Sequence, residues 1–413
     1  MLRLWRDPAT WMALADFFAM LTALALPWST SLVAIFVLCW LGAVAWIMDY
    51  RVYLQSLKRP ICFTPFAFFA LAVVGTLWSD AAWGERLHAI GPSAKLLVLP
   101  GLFYHFERSS RGTWVYIAFL ASCTLLMVMS WIVSFDPSLT LKAKGTEVCG
   151  IFVKNYIDQG QEFTLCAIAL VYPIVLFLRE RKWLLAATLA VIALSFILNM
   201  AFVVTSRTAL STIPILFMTV ALFCLNWRLA VLLSTIAVIV TVGMAQSPRL
   251  CGATFDTARD FELYSDRKVS TSTGLRLEFW KKSVQFAGEA PIIGHGTGST
   301  RGLFEQAAIG KGGAEAVVVG NPHNQTLNVA IQWGALGVIV LYAMWLFHFL
   351  LFRGGEGLAA CIGLLVVVQN IVSSLFNSHV FDFHEGWMYV LGVGVAGGMI
   401  LRRRSISAST HDY

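Results

Sequence analysis

Charged side chains are scarce in this chain. Of 413 residues, 13% are Asp, Glu, Lys or Arg and 58% are hydrophobic. A soluble domain carries about 25% charged residues, so an ordinary soluble enzyme is excluded. Other features are missing too. No Gly-rich segment stands between a strand and a Walker lysine, which excludes a P-loop nucleotide site. The eight cysteines show no zinc-motif spacing. No internal repeat is visible, which argues against a transporter built from inverted halves. The net charge of +7 is modest and follows no nucleic-acid-binding module; basic residues beside apolar runs reflect topology and anionic lipid.

What the chain has in quantity is long apolar runs, and its mean hydropathy is +0.73. Runs of 18 or more apolar residues read as membrane-spanning helices. The pattern predicts an all-α polytopic membrane protein of about twelve spans. They are expected at 11–27, 30–49, 61–78, 86–105, 114–135, 162–178, 183–204, 208–226, 229–246, 324–351, 357–375 and 386–401. The first run follows Arg3 and Arg6 as a signal peptide would, but no small-residue cleavage site follows, so it is expected to be a retained span. The fourth is interrupted by Pro92, Pro100 and Gly101 and carries Arg86 and Lys95.

Basic residues set the expected orientation. With the N-terminus inside, Arg3, Arg6, Arg51, Lys58, Arg59, Arg108, Arg111, Arg179, Arg181, Lys182, Arg228, Arg353 and Arg402 to Arg404 all fall in cytoplasmic segments. The short opposite loops at 27–30 and 376–385 hold no Lys or Arg. Both termini are therefore expected in the cytoplasm. The chain divides into 1–246, with nine spans and an outer loop at 136–161; 247–323, a large outer loop; and 324–413, with three spans and a cytoplasmic tail. Within the large loop, 275–287 has an amphipathic pattern suited to a membrane interface. Six cysteines lie in apolar runs as small hydrophobes. Cys149 and Cys251 lie in outer loops, where a disulfide and two free thiols both remain open.

Three polar segments, distant in sequence, fall on the outer side. Thr205-Ser206-Arg207-Thr208 opens span eight. A cation is disfavoured at a helix N-terminus, and a bound anion would relieve that conflict; a snorkelling anchor is the plainer reading. Arg276 lies on the amphipathic segment and has the planar fork that fits phosphate oxygens. Asn321-Pro322-His323-Asn324 leads into span ten. Pro322 and Asn324 suit a helix start, where a neutral His323 can take a proton from a hydroxyl or merely pack. Lys95 is expected roughly 18 Å above the cytoplasmic end of span four. With Arg86 it suits a phosphate or an acidic headgroup, unless it snorkels outward. Lys154, Asn155 and Gln159 in the 136–161 loop are further candidates for substrate contact. Gly294-His295-Gly296-Thr297-Gly298 lacks the context of a nucleotide fingerprint. His379, Asp382, His384 and Glu385 fit no zinc motif and are expected to be solvated interface residues.

These segments carry a resemblance. Thr205-Ser206-Arg207-Thr208, Arg276 with Trp280, Pro291-Ile292-Ile293-Gly294-His295-Gly296, His323-Asn324 and Gln332-Trp333-Gly334-Ala335-Leu336-Gly337 resemble the lipopolysaccharide O-antigen ligases. That superfamily also holds O-antigen polymerases and pilin oligosaccharyltransferases. The plan of about twelve spans, with one large outer loop before the last three, is similar as well. Many relatives carry an acidic residue where Gln332 stands, so Gln332 is given no catalytic role. The resemblance implies a GT-C-like glycosyltransferase of the bacterial inner membrane with a periplasmic site, needing no metal, ATP or other cofactor. Its implied donor is undecaprenyl-pyrophosphate-linked O-polysaccharide and its implied acceptor is a sugar hydroxyl of lipid A–core. Direct displacement inverts the anomeric centre. In that chemistry His323 is the base, and Arg207 and Arg276 hold the pyrophosphate. Arg86, Lys95, Lys154, Asn155 and Asn324 are further expected substrate-binding residues. A polymerase, a pilin transferase and a lipid-linked sugar transporter stand as alternatives.

Overall fold

Apolar segments of this length leave backbone polar groups without water to satisfy them, so they form helices. The computed structural model describes residues 7–142, 150–204, 206–224, 228, 231–232, 235 and 272–411. Its helices are α1 (Pro8–Ala25), α2 (Thr30–Ile47), α3 (Tyr50–Ser56), α4 (Pro60–Val74), α5 (Trp83–Ala94), α6 (Val98–Arg108), α7 (Gly112–Phe135), α8 (Tyr156–Ala169), α9 (Val171–Arg179), α10 (Trp183–Phe202), α11 (Arg207–Thr219), α12 (Ser272–Glu289), α13 (Thr300–Ala308), α14 (Gln325–Arg353), α15 (Gly357–Ser373) and α16 (Phe383–His411). Among the described residues there is no strand. The protein is an all-α polytopic membrane protein.

Among the described residues, seven helical segments are long and apolar enough to cross a membrane: Pro8–Ala25, Thr30–Ile47, Pro60–Trp78, Gly112–Phe135, Tyr156–Arg179, Trp183–Phe202 and Gln325–Arg353. Expected spans eight and eleven correspond to shorter apolar helices at Ser211–Phe223 and Gly357–Ser373. Expected span four is two helices, α5 and α6, joined by a 3-10 turn at Lys95–Leu97. Expected span nine, and both Cys149 and Cys251, lie outside the described residues apart from isolated positions in that span.

Helix starts are capped by the residue types that suit the task. Asp7, Ser29, Asn155, Ser206 and Asn324 each accept a bond from the backbone of the following turn, which satisfies donors the helix cannot. The main core joins the membrane helices, with Trp40, Phe68, Phe103, Phe163, Phe196 and Trp333 deeply buried. One buried polar relay crosses it: Trp40 Nε1 donates to His105 Nδ1 at 3.0 Å, and His105 Nε2 lies 3.1 Å from Asp16.

The expected interfacial helix, α12, instead packs within the protein. Phe279 and Phe286 bury against Phe304 of α13 and Ile331 of α14 in a small second core. Lys282, on the same helix, is buried and donates to the carbonyl of Glu315 at 2.5 Å. A tertiary partner of complementary shape has taken the apolar face that would otherwise meet lipid.

Candidate active site

The second core is held to the bundle by a backbone clasp. Helix α14 breaks at Gly334, whose φ of 58° and ψ of −152° suit glycine alone. The segment 291–296 inserts at the break. His295 and Gly296 donate to the carbonyls of Ile331 and Gln332, each at 2.8 Å. Ala335 and Leu336 donate to Pro291 and Ile292 at 2.8 and 3.1 Å. Gly294 and Gly334 make the close approach possible, since a Cβ on either would meet the opposite backbone.

Side chains lock the clasp. Trp333 Nε1 donates to Thr297 Oγ1 at 2.8 Å, and Thr297 Oγ1 donates to the carbonyl of Ala72 at 2.7 Å. Gln332 Oε1 accepts from Gly298 N at 2.9 Å while its amide donates to Asn328 Oδ1 at 3.0 Å. An ionised carboxylate there would lose the second bond. The two motifs 291–298 and 332–337 thus build one rigid support below the start of α14.

His323 stands just before that start. Asn324 is the N-cap, and His323 precedes it in the left-handed region, with φ 55°. Such a conformation is uncommon outside glycine and is held by its surroundings. Its N–H donates to Asn321 Oδ1 at 2.9 Å, and its Nδ1 lies 2.9 Å from Asn377 Oδ1. Its ring packs on Phe279 of α12, with centroids 6.2 Å apart. Arg276 precedes Phe279 by three residues and so lies on the same side of α12. It acts electrostatically on His379, which places it beside the loop between α15 and α16.

Helix α11 joins the same end through α8. Its N-cap Ser206 packs on Gly160, where a Cβ would meet the Ser206 side chain. Two residues earlier, Asp158 Oδ2 lies 2.6 Å from His384 Nδ1 and accepts from Asn155 Nδ2 at 2.9 Å. The backbone start of α11 at Arg207, the first turn of α8, the 374–385 segment, His323 and α12 are therefore linked by direct contacts. The side chain of Arg207 lies outside the described residues, as does Thr205.

The loop residues expected to be solvated are not. His379 is buried with no hydrogen-bond partner on either ring nitrogen, Glu385 is buried, and His384 is nearly so. They are inside because α8, the start of α14 and Lys95 pack on the loop, which alternation along a short polar segment does not reveal. Burial, together with Arg276, lowers His379 to about 4, against the pull of Asp158. Burial raises Asp382 to about 7, offset in part by Lys95. Candidate ligand atoms of His379, Asp382 and Glu385 lie within 4.8 Å of one another, as a metal site would require. Lys95 and Arg276 already bring positive charge to that cluster, which disfavours a cation there.

Several expected contact residues have protein partners. Arg86 donates to the carbonyls of Ala81 and Thr76 at 2.6 and 2.9 Å and stacks on Trp83. Lys95 Nζ donates to the carbonyl of Phe381 at 3.0 Å and to that of Asp382. Lys154 donates to the carbonyl of Leu26 and lies 3.7 Å from Glu162; burial lowers its pKa, against Glu162. Asn155 and Asn324 serve as N-caps, and Asn324 also donates to Leu375 at 3.1 Å. Asp158, Glu162 and Asn377 escaped sequence reasoning, and Asp382 was expected to be solvated. Asp158 and Glu162, four residues apart at the start of an apolar span, were the available signal, because ionisable groups there are costly.

Residues 192–342 match the family model described as O-antigen ligase. Over that segment the chain is similar to the O-antigen ligase family. The matched segment runs from α10 into α14 and contains Arg207, Arg276, the clasp and His323. Asp158, Asn377, His379 and Asp382 lie outside it. The superfamily match implies a glycosyltransferase-like activity in general. No curated protein gives a significant match to the chain.

Proposed function

We propose that this protein is an O-antigen ligase, transferring O-polysaccharide from undecaprenyl pyrophosphate to a sugar hydroxyl of lipid A–core. The observation that carries the reading is that His323, with Asn377 on its Nδ1, packs on Phe279 of α12, the helix that also carries Arg276, at one end of an apolar bundle. Arg207 starts a helix packed at the same end.

In this reading the acceptor hydroxyl oxygen attacks the anomeric carbon. The carbon–oxygen bond to the pyrophosphate breaks, and undecaprenyl pyrophosphate leaves with the bonding pair. The hydroxyl proton passes to Nε2 of His323. General-base help of this type is worth about 10²–10⁴-fold. Arg276 and Arg207 meet the charge that develops on the leaving group; a preorganised donor at such a position contributes about 10²–10³ in kcat. One displacement inverts the anomeric centre. The helix starts at α11 and α14 add backbone dipoles of the right sign. Positive-inside bias supports a periplasmic site in a bacterial inner membrane, with both termini cytoplasmic.

The test is transfer by purified full-length protein, with lipid-linked polysaccharide and lipid A–core, in the presence and absence of chelator. Product on lipid A–core supports the ligase. Extension of the lipid-linked glycan instead would make the protein a polymerase. Near-wild-type transfer by His323→Ala would remove the base.

A further inference from the structure

The proposed reaction needs His323 to keep one particular nitrogen free of a proton, and nothing so far explains how. We propose that Asn377 and Asp382 are positioning residues that fix the tautomer and direction of the His323 ring. The inference rests on His323 being the base.

Asn377 Oδ1 lies 2.9 Å from His323 Nδ1, and Asn377 Nδ2 donates to Asp382 Oδ2 at 2.7 Å. The two ends of an amide are different: one only accepts, the other only donates. An ionised Asp382 carboxylate can only accept, so in that state it takes the donating end and the carbonyl end faces His323. A carbonyl oxygen cannot donate. The imidazole proton therefore sits on Nδ1, and Nε2 keeps its lone pair for the acceptor hydroxyl. If Asn377 were turned over, its NH₂ would face Nδ1. The proton would move to Nε2, and the ring would offer a donor where a base is required.

The same turn holds the His323 backbone. Asn321 Oδ1 accepts from both His323 N, at 2.9 Å, and Ser378 Oγ, at 2.7 Å. Ring and main chain are thus tied to adjacent residues, Asn377 and Ser378. Asp382 is fixed from behind, since Lys95 Nζ donates to the Phe381 and Asp382 carbonyls. Gly386 leaves room for that ammonium, because a Cβ there would fall on Nζ.

The relay puts a neutral amide between the histidine and the carboxyl group. A carboxylate in direct contact would raise the proton affinity of the ring. The charged or titratable groups around it include Arg276 from α12, Asp158 from α8, Asp382 and His379 from the loop, His384 and Glu385 from the start of α16, and Lys95 at the end of α5.

This gives a signed experiment. Asn377→Asp, Asn377→Leu, Asp382→Asn and Asp382→Leu are assayed as full-length protein for kcat and donor KM between about pH 5 and pH 9, each with a melting temperature. Asn377→Asp is expected to move the acid limb of the rate profile up by about one pH unit, since the new carboxylate favours the imidazolium. Asn377→Leu is expected to lose at least about ten-fold in kcat with donor KM little changed. Asp382→Asn keeps an acceptor for the Asn377 amide, and is expected to recover much of the rate that Asp382→Leu loses. Wild-type kcat and a superimposable pH profile in both Asn377 variants, with His323→Ala inactive, would overturn the positioning role and leave the base intact. An active His323→Ala would overturn the base itself. If Asn377→Leu melts below the assay temperature, the profile of the isosteric Asn377→Asp decides.

Discussion

His323 Nδ1 and Asn377 Oδ1 lie 2.9 Å apart across a sequence separation of 54 residues. That bond joins the start of α14 to the loop that precedes α16, so the proposed base depends on elements from both sides of α15. The outcomes expected from this arrangement concern the clasp, the arginines, the buried loop and Lys95.

The clasp should fail at its glycines. Gly334→Ala puts a Cβ against the Ile292 backbone in a conformation that costs an L-residue about 1–3 kcal/mol even without the clash. A lower melting temperature, and faster proteolysis around 291–298, are the expected readouts. A melting curve unchanged from wild type would show that the break in α14 is not under this constraint.

The two arginines should depend on shape as well as charge. Arg276→Lys and Arg207→Lys keep the cation but lose the planar fork. Each is expected to lower kcat, with the alanine variants falling further, by about 10²–10³. Turnover and donor binding at wild-type level in both alanine variants would remove the pyrophosphate role.

Two buried groups of the same loop should oppose each other in pH. His379 is lowered from 6.5 to about 4 by burial, so its contribution is complete above about 6.5 and is lost as pH falls through about 4. Asp382 is raised from 3.8 to about 7, also by burial, so its contribution is complete below about 4 and is lost as pH rises through about 7. The two slopes have opposite sign between about 4 and 6.5, so together these groups leave the wild-type melting temperature nearly flat there. Asp382→Asn should expose a melting temperature that rises with pH over that range, and His379→Asn one that falls. A pH dependence in Asp382→Asn superimposable on that of the wild type would contradict the assignment.

Lys95→Met should destabilise the loop between α15 and α16. It leaves the carbonyls of Phe381 and Asp382 without their donor, and an unsatisfied buried group costs about 1–3 kcal/mol. Faster hydrogen exchange in 377–386 is the expected local sign. Gly386→Ala should resemble it, by displacing the same ammonium.

The class of the protein was legible without coordinates, because hydrophobic length and helix formation are local matters. Apolar runs must become helices where water is absent, and eleven of the twelve expected spans overlap helices among the described residues. Asn324 was readable as a cap for the same reason, since capping involves only the next turn. The split in expected span four was hinted at by Pro92, Pro100 and Gly101, and the structure places it at Lys95–Leu97. The patterned segment at 275–287 was correctly read as a helix, but its partner was not, since amphipathicity says that a face is covered and not by what.

The sequence by itself determined a helical membrane protein, where most of its helices begin, and which chemistry-bearing residues stand at those starts. The tertiary structure alone decided which of them meet. His323 finds Asn377, Asp158 finds His384 and Lys95 finds the 381–382 carbonyls because whole helices pack side by side. Nothing in the local pattern around any one of these residues encodes a partner dozens to hundreds of positions away. Burial followed the same logic: His379 and Glu385 look like solvated loop residues until α8 and the start of α14 pack on their loop, and only then does their desolvation become part of the site.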